Sequence, residues 1–132
     1  MSYLIDTDWL VDFLKGRPAA VRLLGRLAPD GLAISLVTFG EIYEGIRYGQ
    51  DRAADEMALA AALEWIPIHG LDVEIMRRFA EIRGDLRNRR QLIGDFDTLI
   101  AATALHHDLT IVSRNRDHYK RVPSLRLLPE DD

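Results

Sequence analysis

The chain has 132 residues, a formal charge of −4 and no cysteine. That length suits one domain, spanning 1–132, with a core of its own; the missing thiols exclude disulfides, thiolate metal sites and cysteine nucleophiles. No apolar run approaches the roughly 18 residues of a membrane span, and an acidic balance argues against a general nucleic-acid coat, which is usually basic.

The chain enters an apolar run at once (YLID, residues 3–6), with no signal-peptide layout. A first strand and a cytoplasmic location are therefore expected. A helix follows with Trp9, Leu10, Phe13 and Leu14 on one face and Gly16 as its stop. Pro18 opens a second helix, with Val21, Leu24 and Leu27 inward. LAIS (32–35) reads as a second strand. The next helix runs from about Thr38 to near Gly49, and another covers ADEMALAAALEW. WIPIH is a weak strand that Pro67 confines to a sheet edge. DVEIMRRFAEIRGDLRNR predicts a long helix with Val73, Met76, Phe79 and Ile82 inward. IGDFDTLIAATAL opens one more helix, LTIVS (109–113) is the clearest strand, and LRLL near the end reads as a last edge strand. Strands alternating with helices imply an α/β fold with a mostly parallel sheet of four to five strands, covered on both faces. In such folds ligands bind beyond the carboxyl ends of the strands.

Acids collect where that rule points. Asp6 ends the first strand, and Glu41 lies early in the helix after the second. Asp95 and Asp97 open the alanine-rich helix, and Asn115 and Asp117 follow the late strand. Local explanations exist for several. Asp6 or Asp8 can cap the first helix, Thr38 and Glu41 fit a capping box, and Asp95 reads as an N-cap. Asp97 resists such an account, because i+3, i+4 and i+7 from it fall on Ile100, Ala101 and Ala104, the most apolar side of its helix. Two carboxylates about 4 Å apart repel by roughly 4 kcal/mol at an effective dielectric near 20, so a cluster of them needs protons or a cation. The donors are all oxygens, which suits Mg²⁺ or Mn²⁺. Arginines flank the motif, with Arg83, Arg87, Arg89 and Arg90 before it and Arg114, Arg116, Lys120 and Arg121 after the late strand. A carboxylate-held cation beside cationic flanks points to phosphodiester hydrolysis.

LIDTDWLVDFLKG, SLVTFGEIYEGI, IGDFDTLIAATAL and LTIVSRNRDHYKRVPSLRL together resemble the PIN-domain ribonucleases, most closely the VapC-type toxins, over nearly the whole chain. The resemblance implies an α/β/α sandwich and a metal-dependent endoribonuclease using Mg²⁺ or Mn²⁺. It also implies a homodimer and a cognate antitoxin encoded alongside. It places the family's first acid on Asp6, the second on Glu41 and the third on Asp97. The fourth falls on Asn115, where many members carry aspartate; Asp95 and Asp117 are the acids able to restore the missing charge. Arg87, Arg89, Arg90, Arg114 and Arg116 become candidate contacts to the RNA backbone. In this family the antitoxin lays a tail into an apolar groove, for which Trp9, Phe13, Leu24 and Tyr43 are candidate walls.

Two other readings compete. IDTD after a strand also looks like the aspartate pair of haloacid-dehalogenase-like phosphatases, with Asp6 as nucleophile and Asp8 as general acid. Those enzymes place a lysine between their early and late motifs, whereas the lysines here are Lys15 and Lys120 alone. A PIN-like interaction module with a weakened metal centre finds support in Asn115 and opposition in Asp6, Glu41 and Asp97.

Overall fold

In the computed structural model, which describes residues 1–129, four strands form one sheet. They are β1 (Tyr3–Ile5), β2 (Leu32–Ser35), β3 (Ile68–His69) and β4 (Thr110–Val112). Their order is β3-β2-β1-β4 and every pairing is parallel. The two central strands, β1 and β2, are buried along their whole length, as continuous apolar runs in a doubly covered sheet must be. LRLL contributes only an isolated parallel bridge between Leu127 and Ile111.

Seven helices complete the chain among the described residues: α1 (Thr7–Leu14), α2 (Pro18–Leu27), α3 (Leu36–Arg47), α4 (Arg52–Leu63), α5 (Val73–Asn88), α6 (Asp95–His107) and α7 (Arg116–Tyr119). Two apolar clusters lie on opposite faces of the sheet. One joins Ile5, Leu10, Leu24, Ile34, Ile42 and Ile66 under the first four helices. The other joins Leu4, Ile75, Leu86, Ile100, Ala101 and Ile111 under α5 and α6. The result is an α/β/α sandwich. No helix among the described residues is long and apolar enough to cross a membrane.

The helix ends explain several boundaries. Pro18 occupies the first turn of α2, where its missing N–H costs nothing. Ser35 caps α3 by accepting from the Thr38 amide, so this helix starts at Leu36 and not at Thr38. The Thr38–Glu41 capping box therefore does not form. Asp51 and Asp72 cap α4 and α5 in the same way.

Two helix faces differ from their expected phase. In α2 the buried stripe is Ala20, Leu24 and Leu27, while Val21 is exposed. In α5 Ile75, Ile82 and Leu86 are buried, with Phe79 packed against them; Val73 and Met76 face outward. The expected α5 stripe advanced by three residues at every step, and each such step falls about 60° short of a full turn. The observed 75, 79, 82, 86 spacing alternates four and three and stays on one face.

Candidate active site and metal centre

Asp6 follows β1 directly and is the N-cap of α1, accepting from the Thr7 amide at 2.8 Å. A cap this close to the sheet sinks into the fold, and Asp6 is only 5% exposed. Its second oxygen accepts from Ser113 Oγ at 2.6 Å and from the Tyr119 hydroxyl at 3.2 Å. Ser113 ends the neighbouring strand, so the sheet itself aligns the serine with the aspartate.

Asp97 lies in the first turn of α6, half-buried, on the side continued inward by Ile100, Ala101 and Ala104. The small Ala101, Ala102 and Ala104 are fully buried, which lets the helix approach its neighbours closely. Asp97 Oδ2 meets Asn115 Nδ2 at 2.7 Å and His118 Nδ1 at 2.8 Å. Asp97 Oδ1 is 3.4 Å from the Tyr119 hydroxyl. Tyr119 thus joins the two aspartates, and burial between them pushes its own ionisation well above the usual phenol range.

Glu41 stands beside this pair without closing on it. Its Oε1 accepts from the Thr7 hydroxyl at 2.7 Å, and that hydroxyl also contacts Thr38 Oγ1 at 3.1 Å. One residue, Thr7, therefore holds Asp6 by its amide and Glu41 by its side chain. Among the described residues no three His, Cys, Asp or Glu side chains converge on a single point.

The remaining acids are employed elsewhere. Asp95 is the first residue of α6, with Gly94 in the cap position and no side-chain cap bond. Asp95 instead pairs with Arg83 at 3.0 Å, which corrects its reading as an N-cap. Asp117 is exposed on α7 and makes no bond to the cluster. Asp8 accepts from the amides of Trp9 and Arg114 and so ties α1 to the segment after β4.

The donor set suits a divalent cation, and Asp6 is the reason. Burial pushes its carboxyl up to about 6, with the charges of Asp8 and Asp97 adding to the effect and the bonds from Ser113 and Thr7 opposing it. The donors that reach it, Ser113, Thr7 and Tyr119, are neutral. A buried carboxylate beside a second one calls for a proton or a cation. Hard carboxylate oxygens suit Mg²⁺ or Mn²⁺.

The arginines divide by employment. Arg89 binds Asp85 and the Arg121 carbonyl and so braces the turn after α5. Arg114 lies 3.8 Å over the Trp9 ring and pairs with Asp12 at 2.8 Å. Arg116 donates to the Leu128 carbonyl. Arg87 and Arg90 are exposed. A groove of about 820 Å³ runs beside Ser113, lined by Trp9, Leu23, Leu128, Arg22, Arg26 and Arg114 among others. Of the expected groove walls only Trp9 lines it. Phe13 packs edge-on against Trp65, Leu24 is fully buried, and Tyr43 stacks on Phe39 and donates to Glu56.

Ser113, Thr7, His118 and Tyr119 escaped the sequence reading, which counted only carboxylates and the Asn115 amide. Two signals pointed to them. Ser113 closes a parallel strand, and His118 and Tyr119 lie three and four residues after Asn115, on one helical face.

Comparison with known proteins agrees with this architecture. A family model described as the PIN domain matches residues 3–125. Ribonuclease VapC19 of Mycobacterium tuberculosis is 34% identical over 126 residues, covering 93% of this chain and 96% of its own. The tRNA(fMet)-specific endonuclease VapC of Shigella flexneri is 27% identical, covering 96% of each chain. The crystal structure of VapBC2 from Rickettsia felis bound to a promoter DNA fragment contains a chain that superposes with a TM-score of 0.90 at 26% identity, over 99% of this chain and 100% of that one.

Proposed function

The chain belongs to the PIN-domain family, and from that premise we propose that it is a VapC-type endoribonuclease toxin, dependent on Mg²⁺ or Mn²⁺ and held in check by a cognate antitoxin. The observation that carries this reading is the pair Asp6 and Asp97, two carboxylates sharing one buried tyrosine hydroxyl at the carboxyl edge of a parallel sheet. The haloacid-dehalogenase alternative fails with the family assignment. It also fails on Asp8, whose oxygens are taken by two backbone amides and are not poised as a general acid.

Asp6 and Asp97 are the residues to hold the cation, with Asn115 beside Asp97 and Glu41 within reach through Thr7. A divalent cation held there would supply water activation and charge neutralisation at a phosphoryl group under attack. Ser113 and Tyr119 orient the Asp6 carboxylate, and Asn115 fixes one oxygen of Asp97. Glu41, bonded to the Thr7 hydroxyl, is the candidate to accept a proton from water. The exposed Arg87 and Arg90, with Arg114 and Arg116 along the groove, offer contacts to the RNA backbone.

The groove past Trp9, Leu23 and Leu128 adjoins Ser113, so an antitoxin tail lying in it blocks the approach to Asp6. This reading carries with it a homodimeric, cytoplasmic protein. Of the relatives named above, the Shigella flexneri protein is a tRNA(fMet)-specific endonuclease and the Mycobacterium tuberculosis protein a ribonuclease.

The test is cleavage of RNA by the antitoxin-free chain with and without Mg²⁺ or Mn²⁺, beside Asp97→Asn. Metal-dependent cleavage that the substitution removes is the expected result. A second reading, an interaction module with a weakened centre, is favoured by Asn115 at the fourth position. Metal-independent behaviour with no cleavage, together with tight antitoxin binding, would select it.

A further inference from the structure

Three polar atoms form a small triangle at the start of α7. Asn115 Nδ2 lies 2.7 Å from Asp97 Oδ2, His118 Nδ1 lies 2.8 Å from the same oxygen, and the two nitrogens are 2.9 Å apart. Hydrogen atoms cannot satisfy all three edges. If His118 Nδ1 accepts from the amide, its lone pair faces the carboxylate oxygen. If it carries a hydrogen and donates to Asp97, the edge between imidazole and amide joins two donors. The amide has a second orientation of equal shape, with its oxygen in place of its nitrogen. In that orientation two oxygens face each other. With Asp97 ionised, each assignment leaves one edge joining two groups of the same kind.

A cation over the triangle satisfies all three corners at once, with the amide turned to present its oxygen. Octahedral ligands about 2.0–2.1 Å from an ion stand about 2.9 Å from their neighbours, close to the three edges found here. The triangle adjoins Asp6, because Tyr119 links Asp6 Oδ2 to the other oxygen of Asp97. Charge fits as well. Asp97 supplies an anion at the triangle and Asp6 a second one nearby, while an amide oxygen and an imidazole add donors without adding repulsion.

We propose that His118, together with Asp97 and Asn115, is a direct nitrogen ligand of the active-site cation, which makes the centre a mixed nitrogen–oxygen one that prefers Mn²⁺ to Mg²⁺. The proposal rests on the metal-dependent reading above. Imidazole suits first-row transition ions, whereas Mg²⁺ favours oxygen donors, so one nitrogen shifts the preference. His118 has 40% of its side chain exposed, so changing it removes little packing.

Pulsed EPR on the Mn²⁺-loaded chain reads nitrogen in direct contact with the ion. Wild-type protein is expected to show a directly coordinated ¹⁴N that disappears in His118→Gln. Competition titrations should show Mn²⁺ affinity falling in that variant by at least the tenfold or so that even loss of an outer partner costs, with Mg²⁺ affinity changed far less. Mn²⁺ bound without coordinated nitrogen, or with a nitrogen signal that survives His118→Gln, overturns the proposal and leaves the oxygen-only nuclease centre standing. If neither ion binds the wild-type chain, the proposal and the metal-dependent reading fall together. The wild-type spectrum decides the matter even if the variant folds poorly.

Discussion

The hydroxyl of Tyr119 donates to Asp6 across 113 residues of sequence, at 3.2 Å and with both groups out of water. The same hydroxyl lies 3.4 Å from Asp97. Among the described residues it is the one uncharged donor that touches both aspartates, so it helps to set their spacing.

Tyr119→Phe should expose that role. The ring still fills its buried place, but the two carboxylates lose the one hydrogen they share. A hydrogen bond to a charged group contributes about 1.5–3 kcal/mol, so a loss in that range is expected in urea unfolding, together with reduced RNA cleavage. Unchanged stability and cleavage would show the hydroxyl to be idle.

Asp6 gives a pH dependence with an unusual sign. Its carboxyl is raised from 3.8 to about 6 in the folded chain, so the folded state holds the proton more tightly than the unfolded one. Stability from this group is therefore full below pH 3.8 and is lost as pH rises through about 6. The loss is on the order of 3 kcal/mol, taking 1.36 kcal/mol per pKa unit. Metal-free Asp6→Asn should lack that decline and be the more stable protein at pH 7–8, while losing cleavage. Parallel stability–pH curves for the two proteins would contradict the assignment. Adding Mn²⁺ at about 100 times its dissociation constant should stabilise the wild-type chain by roughly 2.7 kcal/mol.

The two aspartates of the alanine-rich helix should separate cleanly. Asp97→Asn keeps the shape but removes charge from the centre, and metal-dependent cleavage should vanish. Asp95 pairs with Arg83 at the surface, an interaction worth about 0.2–1 kcal/mol. Asp95→Asn and Asp95→Ala should both keep substantial activity and lose no more than that in stability. An inactive Asp95→Asn would bring this residue into the site.

For RNA binding, Arg87 and Arg90 are the exposed candidates on the α5–α6 side. Each phosphate contact removed from single-stranded RNA should flatten the salt dependence by roughly 0.7 in logarithmic slope. Arg87→Ala and Arg90→Ala should do so without changing the melting temperature. Arg89→Ala should act through stability instead, since its guanidinium holds Asp85 and the Arg121 carbonyl. A slope unchanged in both Arg87→Ala and Arg90→Ala would remove these two arginines from the RNA interface.

Local pattern alone determined the order of elements and the class of fold. Continuous apolar runs such as YLI and LAI are buried as central strands, and helical periodicity turned Asp97 inward through Ile100, Ala101 and Ala104. Those properties depend on residues a few positions apart. Helix phase was legible less securely: α5 offered two apolar stripes, and packing against α6 decided for Ile75, Phe79, Ile82 and Leu86. The centre itself was decided only by tertiary structure. Tyr119 meets Asp6, His118 meets Asp97 and Asp95 meets Arg83 because separate elements are stacked on one sheet. Such pairs join distant parts of the chain, and no local period of the sequence specifies them. Whether an acid meets a tyrosine and a histidine or an arginine depends on which neighbour the stacking delivers. That is why Asp95 and Asp97, two residues apart, have different roles.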